Sequence, residues 1–454
     1  MQFGSGLANR LQAPSWGRVT RRRRVVTMLA GLGLIGCVVV VATDVASRGK
    51  GIEPAPQQAS YPVPALASEV YASEVGGMIE VTGSELDRVL SRLRATKGMS
   101  ASELFHAIHL FGGDVLTPPG SLAGDRRRVL DVLLDVPAAA QLFDGAQTLA
   151  TTRYGVRSPL NDPGLLGTQQ GGAQAHRGQL LAVLAAQGVP GDRPIRLGDG
   201  TPRVVKAIRD DLAANFSMEG EIAWDAVALA FYHDGRGWTN KFGHRFTFDQ
   251  VADELARRNP ALESCSGTHA LISLTTLVKV DGRKPILSPE ARSRAILTLA
   301  RQVERARASQ REDGGWEIDW YMPGPRRPSE GKASSPEDRL LATGHLVEWL
   351  MLLPEPLRPG VEVLEPGARW LKSALAAMPD DPAWVDKNYC PIVHAARSLK
   401  LLAKDAGAVA AIEARSSLGR SSFPQVPSQE IDDEDAPAHS APARSALRRD
   451  LDGP

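Results

Sequence analysis

The 454-residue chain is poor in cysteine, aromatic residues and net charge. Three cysteines, Cys37, Cys265 and Cys390, exclude a disulfide-dense scaffold. A formal net charge of +1 leaves no concentrated basic surface, which argues against a nucleic-acid partner. No convincing run of alternating apolar and polar residues marks a strand, so an all-α fold is expected. Aromatic residues are scarce, yet seven of the eight tryptophans fall between Trp224 and Trp384. That clustering directs attention to the middle of the chain.

What is present begins with an uncharged run over residues 25–43, VVTMLAGLGLIGCVVVVAT. Nineteen residues at about 1.5 Å rise just cover a bilayer core of about 30 Å. Arg18 and Arg21 to Arg24 precede it, so residues 1–24 are expected in the cytoplasm and the bulk of the chain outside it, periplasmic or extracellular. Residues 25–43 then form a transmembrane signal-anchor, and the partners are the membrane and an envelope polymer, a lipid or another envelope protein. A lipobox reading of Leu34 to Cys37 and a cleaved signal peptide are the alternatives. Residues 44–83 read as a linker, because Gly49 to Pro64 holds four prolines. Residues 84–170 read as an N-terminal helical segment, 171–404 as the main helical domain, and 405–454 as a disordered tail without an apolar stripe.

Helix starts are legible within this frame. Ser100 and Glu103, and Thr247 and Gln250, form capping-box pairs. Ser288-Pro289-Glu290 combines a cap, a first-turn proline and an acid ahead of a helix to about Ser309. Very apolar segments follow His176, His269, His345 and His394, and amphipathic ones lie between. Such alternation is what an inner and an outer ring of helices require.

The segment Gln310-Arg311-Glu312-Asp313-Gly314-Gly315-Trp316 closes the long helix. Its glycines permit a turn with positive φ, Gln310 and Asp313 have side chains suited to the freed backbone groups, and Trp316 packs back. The stretch resembles the Q-x-x-D-G-G/S-W turn of terpenoid-cyclase and prenyltransferase-type α/α toroids. That resemblance implies inner helices around a cavity, with an outer ring behind, over about residues 171–404. It does not carry the activity across. Triterpene cyclases repeat the turn and need an acidic protonation motif, whereas the dense acidic run here, Asp432 to Asp435, lies in the tail. The cysteine-glycine-glutamate-glutamine sequence of complement-type thioester toroids is not found either.

Two Cys-x-x-x-His pairs, Cys265/His269 and Cys390/His394, stand at the starts of apolar helices. On a helix, that spacing puts both side chains on one face. Two thiolates and two imidazoles suit tetrahedral zinc, the one cofactor considered; a Cys265–Cys390 disulfide and ordinary burial compete. His176, His269, His345 and His394 are candidate acid–base residues, with Arg177, Glu348 and Asp386 near enough in sequence to orient them. Trp224, Trp320 and Trp349, among the clustered tryptophans, are candidate cavity walls alongside Arg177 and Glu348. His106 and His109, three apart, read as a half-polar helix face. The leading functional expectation is a membrane-tethered extracytoplasmic toroid binding a glycan, lipid or peptide in its central cavity. A zinc- or histidine-assisted lyase, hydrolase or transferase acting on an envelope polymer or isoprenoid, and a structural assembly protein, are the alternatives.

Overall fold

The structure is a computed structural model that describes residues 62–71, 83–93, 99–122, 126–143, 145, 147–160, 174–322 and 334–403. These residues are mostly helical. The helices are α1 (Val63–Val70), α2 (Gly83–Arg92), α3 (Ala101–Phe111), α4 (Val129–Leu133), α5 (Val136–Leu142), α6 (Gln179–Ala186), α7 (Lys206–Ala214), α8 (Ala223–Tyr232), α9 (Phe248–Arg257), α10 (Thr268–Asp281), α11 (Pro289–Ser309), α12 (Pro336–Leu352), α13 (Val361–Ala376), α14 (Pro382–Lys387) and α15 (Tyr389–Leu402). Three two-stranded antiparallel hairpins interrupt them: β1–β2 (Ala150–Thr152, Gly155–Arg157), β3–β4 (Pro194–Arg196, Pro202–Val204) and β5–β6 (Gly237–Thr239, Arg245–Thr247). The hairpins were not anticipated. Strands of three residues are too short to display a period of two.

The expected caps form. Ser100 and Thr247 each accept from the backbone N–H three residues on, and Glu103 and Gln250 reciprocate. Ser288 caps α11, which runs to Ser309. Ser335 and Asp338 make a third capping box, at α12. The contrast in helix character is also present. In α8 and α10 nearly every residue is buried, whereas α11 buries one stripe of Ala291, Ala295, Leu299, Val303 and Ala306. Burying a leucine or valine side chain contributes roughly 1.5–3 kcal/mol, so the helices with apolar residues all round belong inside.

Helix neighbours form a closed circuit. α3 packs on α6, α6 on α8, α8 on α10, α10 on α12, α12 on α15, and α15 returns to α3. Amphipathic helices lie against this circuit: α7 on α8, α9 on α8 and α10, α11 on α9 and α10, α13 on α12 and α15, and α2 on α13 and α15. The tightest pair is α12 and α15. A Cβ on Gly344 would stand 2.8 Å from the Ala395 backbone nitrogen, so only glycine lets these backbones meet.

The turn after α11 is built as its sequence suggested. Gly314 has φ of +91°, and a Cβ there would lie 2.3 Å from the Pro366 carbonyl oxygen. Gln310 Nε2 donates to the carbonyls of Gly314 and Val363, both at 2.9 Å, and the Gly315 N–H donates to Asp313 Oδ1 at 3.1 Å. Trp316 is fully buried, its indole N–H donating to the Ala306 carbonyl at 2.7 Å. The turn therefore fixes α11 against α12 and α13.

Two sequence expectations are corrected. No helix among the described residues is long and apolar enough to cross a membrane. The longest, α11, carries charge along its whole length. The single-pass placement and the extracytoplasmic localisation argued from it are withdrawn; residues 25–43, on which they rested, lie outside the described residues, as does the tail at 405–454. The second concerns the linker at 44–83, which contains α1. Val63, Leu66, Ala67 and Val70 are buried at helical spacing, and α1 packs on α6, α8 and α10. The prolines obscured that stripe, although Pro62 and Pro64 sit at a helix start, where proline is tolerated.

Candidate functional site

Every helix of the circuit sends side chains into one cavity of about 270 Å³. From α3 come Phe105, His106 and His109; from the turn before α6, His176; from α8, Trp224; from α10, His269 and Ile272; from α12, Glu348 and Met351; from α15, Cys390, His394, Arg397 and Leu401. Cys265 enters from the turn before α10. The lining thus combines histidine, thiol and carboxylate with the apolar side chains of Phe105, Ile272, Met351, Leu352 and Leu401.

Two carboxylates, the buried Glu348 and the half-buried Glu221, organise the histidines. Glu348 accepts from His394 Nδ1 at 2.6 Å, bonds His109 Nε2 at 2.5 Å and accepts from Arg397 Nε at 2.9 Å. Burial opposes its charge, but His109 and His394 overcome that and hold Glu348 well below the usual carboxylate range. Glu221 bridges His176 Nδ1 at 2.6 Å and His269 Nδ1 at 2.9 Å. Its acidity is likewise increased by the two imidazoles against the cost of burial. Burial and the neighbouring Arg397 push His109 down to about 3, so it is neutral.

These bonds decide which ring nitrogens stay free. Nδ1 is engaged on five imidazoles: His176 and His269 by Glu221, His394 by Glu348, His106 by the Ser102 carbonyl at 2.8 Å, and His345 by the Leu341 carbonyl at 2.9 Å. Nε2 is the nitrogen left to each. Metal-ligating histidines have this arrangement, one nitrogen tied to a carboxylate or carbonyl and the other presented to the ion. His345 Nε2 is fully buried and has no hydrogen-bond partner.

The thiols stand among these nitrogens. Ligand atoms of Cys265, His345 and Cys390 lie within 4.8 Å of one another, as do those of His106, Cys390 and His394. Neither cysteine forms a disulfide. A hydrogen bond from Cys265, and His106 beside it, hold the Cys390 thiol well below its usual range in spite of burial. In turn His106, half-buried, is pushed up to about 9 by Cys390 and Cys265 against the cost of desolvation. His345 packs on His394 with ring centroids 3.7 Å apart and planes tilted by 32°, an approach that the close α12–α15 packing permits.

Cys265 is not on a helix, contrary to the i, i+4 reading. Cys265, Ser266 and Gly267 have φ of 50°, 57° and 81°, three successive left-handed residues ahead of α10. Non-glycine residues held there cost of order 1–3 kcal/mol each and persist only where the surroundings over-determine them. The surroundings here are Thr268 Oγ1, which donates to the Cys265 carbonyl at 2.6 Å, and Trp320 Nε1, which donates to the Ser266 carbonyl at 3.1 Å. Cys390 and His394 do share a face of α15.

Of the residues expected at the site, Cys265, Cys390, His176, His269, His345, His394, Glu348 and Trp224 come together. Four do not. Arg177 pairs with the buried Asp225 and lines a separate hollow beside Arg157 and Asp211. Trp320 braces the Cys265 turn from the core, and Trp349, fully buried, donates to Thr275 Oγ1 at 3.0 Å. Asp386 is exposed on α14. His345 lies in the middle of α12, not at its start. His106, His109, Glu221 and Arg397 were missed. The three-residue spacing of His106 and His109 was the available signal, but only the α15-to-α3 closure turns that face inward. No protein-family model, no curated protein and no solved structure matches the chain.

Proposed function

We propose that the chain is a zinc-dependent enzyme of the lyase, hydrolase or transferase kind, acting on a small substrate with an apolar body. We also read its closed circuit of six inner helices, with amphipathic helices behind, as an α/α toroid. The observation that carries the functional reading is the orphaned His345 Nε2 beside two cysteines that form no disulfide, next to a cavity where His106, His269 and His394 each have Nδ1 engaged. Thiolate and imidazole are the preferred ligands of zinc. Donor atoms on one tetrahedral zinc lie roughly 3.3–3.8 Å apart, given ~2.3 Å to sulfur and ~2.0 Å to nitrogen. Groups already within 4.8 Å need little movement to reach that spacing.

The ligands proposed are Cys265 and Cys390 with imidazoles from His106, His269, His345 and His394. When bound, zinc supplies Lewis acidity and makes a coordinated nucleophile more acidic. The chain's own residues do the rest. Glu348 and Glu221 fix the tautomers of His394 and His269. Trp224 faces His269 with ring centroids 5.0 Å apart and carries an indole N–H without a partner, a donor for an acceptor group on the substrate. The apolar side chains of the lining take the substrate body and exclude water from the polar ones.

The test is metal content. Reduced full-length chain, purified without chelator, is expected to hold at least one zinc per chain by elemental analysis and to melt lower after chelation. Cys265→Ser and Cys390→Ser should each lower zinc affinity. A wild-type chain that takes up neither zinc nor cobalt above background would end this reading.

A further inference from the structure

The donors outnumber what one ion can use. A tetrahedral zinc takes four ligands, whereas two thiols and the imidazoles of His106, His269 and His394 line this cavity, with His345 next to the thiols. They also divide. Cys265, His345 and Cys390 form one mutually close group; His106, Cys390 and His394 form another; Cys390 is in both. Two further groups, His109 with Glu348 and His394, and His176 with Glu221 and His269, are hydrogen-bonded sets that use Nδ1 of His394 and of His269. They orient ligands and do not compete for the same ring nitrogens.

Building on the zinc reading above, we propose that the cavity holds two metal ions bridged by the Cys390 thiolate. The first ion takes Cys265, Cys390 and His345, with His269, at the start of α10 and hydrogen-bonded to Cys265, as the fourth ligand. The second takes Cys390, His106 and His394 and keeps an open position. Full coordination by four protein ligands is the mark of a structural ion, and three ligands with an open site the mark of a catalytic one. The second ion is therefore the one that meets substrate. Its ligand His394 is tied to Glu348, and Arg397 on the same carboxylate also lines the cavity. A thiolate has several lone pairs, and each thiol that binds gives up its proton to solvent. Cys390 suits the bridge because its sulfur lies within 4.8 Å of ligand atoms of both groups, Cys265 and His345 in one and His106 and His394 in the other.

Stoichiometry and spectroscopy test this on the full chain. Native mass spectrometry of reduced protein titrated with zinc is expected to saturate at two ions. Cys390→Ser should lose both. His106→Asn and His345→Asn should each retain one, and the double variant none. Circular dichroism and melting of each variant check folding; His106 is only half-buried, so its variant keeps the test usable if His345→Asn misfolds. In cobalt-loaded chain, a shared thiolate couples the two ions. The EPR intensity at two equivalents should then fall below twice that at one. Saturation of the wild type at one ion overturns the bridge while leaving the zinc reading intact; uptake of none overturns both. Two ions with additive EPR signals, or retention of both by Cys390→Ser, also refutes the shared thiolate.

Discussion

Glu348→Gln is the most informative single substitution. The shape hardly changes, but the bonding does. Glu348 Oε1 serves His109 and Arg397, and Oε2 accepts from His394 Nδ1. A glutamine oxygen in the Oε1 position keeps the Arg397 bond, and its amide nitrogen then faces His394. Two donors cannot share that contact, so His394 must shift its proton to Nε2 and lose the nitrogen offered to metal. Loss of such an orienting partner typically lowers metal affinity 10–100-fold, about 1.4–2.7 kcal/mol. The metal-free chain suffers separately. Removing one partner from a buried charged network costs about 3–5 kcal/mol, because Arg397 is left uncompensated. Chelator competition measures the first effect and thermal melting in chelator the second. Zinc affinity within twofold of wild type, with melting unchanged, would refute the claim that Glu348 orients His394.

Other expectations follow from the same geometry. His109 is half-buried and neutral, its folded value of about 3 lying below the ordinary 6.5. Its contribution to stability is complete above pH 6.5 and is lost as pH falls from there toward 3; the acid limb of a melting-versus-pH curve should therefore be shallower in His109→Asn, and an equal slope refutes this. Trp316→Ala removes a fully buried indole and should destabilise by about 3–5 kcal/mol by denaturant unfolding. Gly314→Ala forces a Cβ to 2.3 Å from the Pro366 carbonyl oxygen at φ of +91°, and a loss of less than about 1 kcal/mol would show that the turn gives way easily.

Much of the fold was legible because local rules and packing agree. The caps at Ser100, Thr247 and Ser288 follow from side-chain oxygens placed ahead of apolar stripes. The Gln310 to Trp316 turn follows from two glycines and a large aromatic. The convergence of Cys265, His269, Cys390 and His394 on one cavity was also readable from the repeated position of each pair, although the helical spacing offered as its cause holds for the second pair only. What stayed hidden depends on long-range closure. Glu221 joins His176 across 45 residues and His269 across 48, and Arg397 meets the His109 carbonyl across 288. A single sequence gives no sign that α15 returns to α3. Trp320 and Trp349 misled for a related reason: a tryptophan at helical spacing serves a core as readily as a cavity, and only their bonds to Ser266 and Thr275 distinguish the two.

The strained turn at Cys265 gives one more prediction, reached by asking what the strain accomplishes. Three left-handed residues in succession place the thiol beside Cys390, a position that a continuous α10 helix would not provide. Release of that strain is opposed by few bonds, and the Trp320 indole N–H to the Ser266 carbonyl is one of them. Trp320→Phe keeps most of the buried ring surface but deletes this donor. Loss of a buried hydrogen bond that leaves the carbonyl unsatisfied costs about 1–3 kcal/mol, comparable to the strain of order 1–3 kcal/mol at each non-glycine residue it helps to hold. The turn should then sample conformations in which Cys265 leaves the cavity. Alkylation of Cys265 in metal-free chain is expected to speed up several-fold, while Cys390, held on α15, keeps its rate. Mass mapping of the modified cysteines separates the two. Equal acceleration at both thiols would mean that the domain had loosened as a whole, and no acceleration at Cys265 would mean that the turn holds its shape without Trp320.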